Sequence, residues 1–208
     1  MSEQTDTPKE EIYYDQRSVA LRTTQSICFV KEHDKATMLG LLLNEYKEKQ
    51  VVIVVKSKKK ADALSELLSS KEFHAMAVHG NHRETQQQEA ASKFNDGSLH
   101  IIITTDMILK TLALENIKLV ISYDLPELPQ EYYNRLAYMK EQGESMALVS
   151  PEDVYNLDEI EYNMKKEIEE KTVEGFVATT STQTNKPKKD RTKKPRHRKN
   201  KVKKDTSI

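Results

Sequence analysis

The 208-residue chain contains one cysteine, five glycines and no tryptophan. Each scarcity excludes something. The single thiol, Cys28, can form neither an intramolecular disulfide nor a cysteine metal cluster. It lies in an apolar run, where cysteine behaves as a small inert core residue. None of the glycines belongs to a G-x-x-x-x-G-K-[ST] element, so the sequence holds no P-loop and no glycine-rich phosphate cradle. The histidines make no metal pair at helical spacing, and no nucleophile–base pair stands out. No apolar run approaches the roughly 20 residues that span a bilayer. The start, MSEQTDTPKEE, is polar and acidic and lacks the features of a secretory signal. A cytoplasmic protein without membrane contact is expected.

Net charge is also absent, with 33 basic and 33 acidic residues. The balance conceals a split. Twelve basic residues fall between Lys186 and Lys204, and Asp190 and Asp205 are the acids of that region, which leaves 21 basic against 31 acidic residues in 1–185. The body is thus about −10 and the C-terminal region about +10. A basic arm of this kind, with Lys193, Lys194, Arg196 and Arg198 at its centre, suits nucleic acid. Counterion release would drive binding without sequence readout. The alternatives are an arm that folds back on the acidic body or only adds solubility.

Apolar periodicity organises the rest. SICFV (26–30) reads as a strand, and residues 34–49 carry apolar positions at helical spacing. VVIVV (51–55) is β-branched with no polar alternation, which suits a strand covered on both faces. Further strands are expected at 74–80, 100–106, 118–124 and 145–150, with helical segments between most of them. Six strands alternating with helices argue for an α/β domain with a mostly parallel sheet. Pro151 followed by acids opens a last helix, expected to run to Lys171. From Thr179 the composition turns to Ser, Thr, Gln, Asn, Lys and Pro, which builds no core. The expected organisation is an extended or disordered segment at 1–20, a domain at 21–178 and a disordered Lys/Arg-rich tail at 179–208.

In an open parallel sheet the working surface lies beyond the carboxyl ends of the strands. Here those ends carry Lys56-Ser57-Lys58, His79-Gly80-Asn81, Thr104-Thr105-Asp106 and Tyr123-Asp124-Leu125-Pro126. Small hydroxyls, a glycine and backbone donors can hold phosphates. Ordinary βα turns use the same residue types as helix caps.

Four stretches then fall into order: VVIVVKSKKKADAL (51–64), VHGNHRETQQQEAASKFNDGS (78–98), IIITTDMILKTLALENIKLVISYDLPELPQEYYNRL (101–136) and GESMALV (143–149). Strand-H-G, F-x-x-G, T-T-D and Y-D-L-P-x-x-x-x-x-Y in this spacing resemble the second RecA-like lobe of DEAD-box RNA helicases, over about 25–175. The resemblance implies a three-layer RecA-like α/β fold. In that family ATP and magnesium sit between two lobes. The first lobe carries the P-loop and the D-E-A-D acids. The second supplies arginines to the γ-phosphate and part of the RNA track. Only second-lobe motifs occur here, so no cofactor is expected for the chain alone.

Carried over position by position, the resemblance implies RNA contacts at Ser57, Lys58, Gly80, Asn81, Gly97, Thr105 and Asp106. The nucleotide side is eroded. The family's A-R-G-L-D falls on Leu109–Ala113, which puts Lys110 at its arginine and Ala113 at its ribose-contacting aspartate. The family's H-R-I-G-R-T-G-R falls on Asn134–Glu141. Arg135 survives, but the two phosphate-facing arginines, expected along a loop, become Tyr138 and Glu141. An arginine finger is worth roughly 10³–10⁵ in rate. Tyrosine cannot replace its charge, and glutamate inverts it beside an anion. These five positions read as a vestigial nucleotide site.

The leading expectation is a degenerate helicase C-terminal domain acting as a non-catalytic RNA-binding accessory factor with a basic tail. One alternative is an interaction module that docks on a separate helicase lobe or another RNA-processing protein. For that module Leu136, Ala137, Tyr138 and Met139 would supply a less charged, adhesive surface. Another is the C-terminal half of a split ATP-dependent RNA helicase.

Overall fold

The computed structural model describes residues 20–21, 23–47, 49–139 and 143–179. The expected segment at 1–20 and the expected tail at 179–208 lie, apart from Ala20 and Thr179, outside the described residues. Contacts along the chain separate 1–178 from 179–208, and the fold is that of the first unit.

The β-branched run forms β2 (Val51–Val54), with all four residues buried. It occupies the interior of a seven-stranded sheet in the order β3-β4-β2-β5-β6-β1-β7. The other strands are β1 (Thr24–Phe29), β3 (Ala75–Val78), β4 (Ile101–Thr104), β5 (Leu119–Ser122), β6 (Glu144–Val149) and β7 (Glu169–Glu170). Every pairing is parallel. Parallel neighbours need crossovers, and the helices supply them. These are α1 (Lys35–Glu45), α2 (Lys58–Ser70), α3 (Glu84–Asn95), α4 (Asp106–Leu109), α5 (Pro129–Ala137) and α6 (Val154–Met164). A 3₁₀ turn, Glu32–Asp34, leads into α1.

Alternation along each strand divides the core between two faces. Val51, Ile53, Ile101, Ile103, Leu119 and Ile121 pack with Leu39 and Leu42 of α1 and Leu64 and Leu68 of α2. Val52, Val54, Ile102 and Val120 pack with Phe94 of α3, Tyr132 and Leu136 of α5, and Leu157 and Ile160 of α6. The result is the expected three-layer RecA-like arrangement.

Two elements differ from their sequence reading. The last helix ends at Met164, because Lys165 turns left-handed at φ 57°. Beyond it Ile168 and Val173 are buried, and Glu169–Glu170 pair with Ser26–Ile27 of β1 as a seventh strand. Residues 165–171 have good helix formers, yet burying two apolar side chains against the sheet outweighs a helix propensity of a few tenths of a kcal/mol per residue. The second difference is α5, where a loop was expected. Pro129 starts it at the first helical turn, where its missing N–H costs nothing.

Gly143, before β6, has a steric reason. A Cβ there would sit 2.6 Å from Met139 Sδ and 3.0 Å from the Lys118 carbonyl oxygen. No helix among the described residues is long and apolar enough to cross a membrane.

Cys28 is buried in the core, as its apolar setting implied. Burial pushes its thiol up to about 11, against a smaller opposing pull from Lys171. Only the thiolate reacts readily. A disulfide reagent at pH about 8 should therefore leave the native thiol unlabelled and titrate it fully in denaturant. Rapid labelling of the folded protein would contradict this packing.

Candidate nucleic-acid interface

All βα turns of a parallel sheet open at one edge. In the β2–α2 turn, Ser57 caps α2, its Oγ accepting the Lys60 N–H at 3.3 Å. That bond uses only an acceptor lone pair, so the Ser57 hydroxyl still has a proton to donate. Lys58 Nζ donates to Asn81 Oδ1 at 2.8 Å and ties this turn to the β3–α3 turn. A Cβ on Gly80 would lie 3.7–3.9 Å from Ile108 Cδ1 and from the end of Lys58, so α4 closes over the same spot. Thr105 caps α4, its carbonyl accepting the N–H groups of Ile108 at 3.0 Å and Leu109 at 2.9 Å. Its side chain makes no capping bond. The structure thus brings together Ser57, Lys58, Gly80, Asn81 and the start of α4. Ser57, Lys58, Gly80 and Asn81 are exposed.

His79 stiffens the middle turn. It is buried, with Nε2 2.7 Å from Asp62 Oδ1. Its backbone N–H donates to His82 Nδ1 at 3.1 Å, and the two rings stack 4.2 Å apart.

Gly97 is not part of this group. It ends α3 with φ +83°, its N–H donating to the Phe94 carbonyl at 3.2 Å. The next residues enter β4 from below, where the His100 carbonyl accepts the N–H of Val51, the first residue of β2, at 2.8 Å. Gly97 therefore sits at the opposite edge of the sheet and serves as a helix stop.

Four of the five vestigial positions, Lys110, Ala113, Arg135 and Tyr138, are among the described residues. Arg135 lies inside, 2% exposed. Its Nε and Nη2 donate to the two carboxylate oxygens of Asp106 at 2.6 and 2.7 Å. Its Nη1 donates to Ser122 Oγ and to the Asp124 carbonyl, both at 2.8 Å. Asp106, proposed from sequence to touch RNA, is thus committed to Arg135. Tyr138 is half-buried, and burial, with the Asp106 charge second, pushes its phenol up. Lys110 and Ala113 are exposed. The Ala113 carbonyl accepts the Asn95 side chain at 2.8 Å. Glu141, Lys193, Lys194, Arg196 and Arg198 lie outside the described residues. The expected adhesive surface at 136–139 is corrected by burial: Leu136 and Met139 face the core, because they fill the inner side of α5 and its end. The described residues at these positions do not fit a nucleoside triphosphate. The surviving guanidinium is saturated by a carboxylate, and no second arginine stands beside it among the described residues.

A charged network along the same edge escaped the sequence reading. Lys35 is buried, with Nζ 2.9 Å from Asp153 Oδ2, 3.1 Å from Glu32 and 3.8 Å from Asp124. Lys60 Nζ reaches Asp124 Oδ1 at 2.6 Å and Glu32 at 2.8 Å. Burial opposes the charge on Asp153, but hydrogen bonds from Ser150 and Lys35 outweigh it and hold the carboxyl low. Glu32 is likewise held low by Lys60 and Lys35 in spite of burial. Burial works against Lys60, whose bonds to Asp124 and Glu32 raise it. Five groups from four distant segments meet here, and only Asp124 lies in a recognisable motif. Lys58 differs from Lys35, Lys56 and Lys60, which pair with carboxylates. Its partner is a neutral amide, and it pairs with no carboxylate among the described residues.

The model of the helicase conserved C-terminal domain matches residues 34–137, half of the chain. The chain belongs to the helicase C-terminal domain family. It is of the DEAD-box kind. The ATP-dependent rRNA helicase RRP3 of Candida glabrata is 31% identical over 159 residues, which is 75% of this chain and 32% of that protein. The helicase domain here thus spans about a third of the length of that relative. A DEAD box protein from Methanococcus jannaschii superposes with a TM-score of 0.69 at 25% identity, over 74% of this chain and 43% of that one. Saccharomyces cerevisiae Dbp5, solved bound to RNA and ADP BeF3, superposes with a TM-score of 0.67 at 21% identity, over 73% of this chain and 42% of that one.

Removing Arg135 leaves Asp106 partly buried and unpaired. Arg135→Ala should cost about 3–5 kcal/mol in urea unfolding. Lys110→Ala, at an exposed position, should stay within about 0.5 kcal/mol of the parent. Equal effects at the two sites would refute the buried-clamp assignment.

Proposed function

We propose that the chain is a non-catalytic RNA-binding protein, a helicase C-terminal domain that holds an RNA backbone without using nucleotide. The observation that carries this reading is the uncompensated ammonium of Lys58, held by Asn81 at 2.8 Å among exposed turns. Phosphate oxygens need cations, amides and hydroxyls. Lys58, the Ser57 and Thr105 hydroxyls and the open backbone at Gly80 supply all three. Lys35, Lys56 and Lys60 are already paired with carboxylates, whereas Lys59, exposed beside Lys58, adds a second open ammonium to this turn. Kinship with RNA helicases, and the RNA bound to Dbp5, support RNA as the polyanion. The basic run containing Lys193, Lys194, Arg196 and Arg198 would add affinity without sequence readout. The commitment of Arg135 to Asp106 argues against ATP turnover, including in a complex with a separately supplied first lobe.

A second reading is favoured by one observation. Met107, Leu128 and Tyr155 are 76%, 60% and 71% exposed and follow β4, β5 and β6 at this same edge. Exposed apolar side chains on one edge suit a protein partner, such as another helicase lobe or an RNA-processing protein.

Binding of a fluorescent single-stranded RNA by the full chain separates these readings. Lys58→Ala should weaken binding and reduce the logarithmic salt slope by about 0.7. Asn81→Asp, which neutralises Lys58 without removing it, should weaken binding in the same direction. Affinity and slope untouched by both substitutions would sink the proposal.

A further inference from the structure

The outer face of the last helix carries more than polar side chains. α6 buries Leu157, Ile160 and Met164 in the core. Tyr133 Oη donates to the Ile160 carbonyl at 3.3 Å and holds that side inward. On the other side stand Tyr155 and Tyr162, 71% and 69% exposed. They are seven residues apart and form a stripe about 10 Å long. Asp158 and Glu159 lie on the turn between them. Residues three and four apart are neighbours on a helix. Each carboxylate therefore has Tyr155 on one side and Tyr162 on the other, and neither has a lysine or arginine at those spacings. Asn163 Nδ2 bonds the Glu159 carbonyl at 2.8 Å, not its carboxylate. Among the described residues neither carboxylate takes a partner. The next lysines, Lys165 and Lys166, follow the left-handed end of the helix.

We propose that this stripe docks an arginine-bearing helix of another protein. A guanidinium can lie flat on a tyrosine ring and still bond a carboxylate through its edge. Two rings with two carboxylates between them offer that pairing twice. A partner helix sets its own side chains along the same rise, so arginines a turn or two apart match the stripe. Tyrosine and arginine are both enriched among the residues that anchor protein interfaces. Charge decides against the other occupants. Bases stack on aromatic rings, but the carboxylates repel the phosphates that come with them. A second copy of α6 would set like charges against each other. The inference does not rest on RNA binding.

The test uses the full chain and a fluorescein-labelled, alanine-based helical peptide with arginine at every fourth position. The same peptide with lysine, and with glutamate, serves as control. The arginine peptide should bind more tightly than the lysine peptide, and the glutamate peptide should not bind. That preference separates stacking from the attraction of any cation to an acidic surface. Tyr162→Ala changes no charge and should lower affinity about fivefold, whereas Tyr162→Phe should keep it. Asp158→Asn with Glu159→Gln should lower it about tenfold. Circular dichroism should show the parent fold in each variant, because the side chains lie on the outer face of α6. Equal binding of the arginine and lysine peptides, or indifference to Tyr162→Ala, would overturn the proposal. A zero-length cross-link from Asp158 or Glu159 to a lysine of the same chain, or of a second copy, would also overturn it. So would single-stranded RNA that, in place of the peptide, shifts the Asp158 and Glu159 amides. Because RNA is absent from the peptide assay, its result stands apart from the RNA-binding reading.

Discussion

Arg135 is the largest of the fully buried side chains among the described residues, and its charge cannot remain inside without partners. An unpaired ion in a protein interior costs several kcal/mol. Here the guanidinium spends two N–H groups on Asp106, in the bidentate geometry that suits it best. The remaining bonds go to Ser122 and to the Asp124 backbone. One side chain of α5 thereby fixes the end of β5, the turn after it and the start of α4. Thr105 and the cover over Gly80 sit where that clamp puts them. A residue that a family motif associates with nucleotide is, in this molecule, a structural pin for the neighbouring turns.

The same accounting of charge explains what the edge can bind. Lys35, Lys60, Glu32, Asp124 and Asp153 neutralise one another across the ends of β1, β5 and β6. Mutual pairing at 2.6–3.1 Å leaves their lysines little to offer an external anion. Lys58 sits two residues from Lys60 but on the far side of the turn, against an amide. At the exposed surface a lysine without a carboxylate is the one that releases counterions when a phosphate arrives. The proposed interface is therefore narrow, confined to the turns after β2, β3 and β4, while the carboxylates of the turns after β5 and β6 are engaged in internal ion pairs.

Much of this was legible in the sequence, for identifiable reasons. The runs VVIVV and HIIIT report strands buried on both faces, because burial on both sides removes the need for polar alternation. The H-G and T-T-D signals place their turns correctly, with His79 bonded to Asp62 and Thr105 at the N-cap of α4. Three things were hidden. Glu169–Glu170 look helical locally, and only the burial of Ile168 and Val173 makes them a strand. Gly97 follows a helix and so turns at the wrong edge, a consequence of topology that a motif does not carry. The ionic network joins residues up to 118 positions apart, Lys35 to Asp153, and such pairs leave no periodic trace. Arg135 was visible as a survivor, but its partners decide its role, and those partners come from two other segments, the start of α4 and the end of β5 with its turn.

The claim that matters most is that RNA is held by the turns around Lys58 without nucleotide. Amide chemical-shift mapping of the full chain with single-stranded RNA, first alone and then with magnesium and ATP, addresses it directly. The account predicts shifts at Ser57, Lys58, Gly80, Asn81 and Thr105 that ATP leaves unchanged, with Gly97 and Ala113 silent. Shifts confined to residues beyond Thr179, or an ATP-dependent response at Lys110, Ala113 and Tyr138, would contradict it.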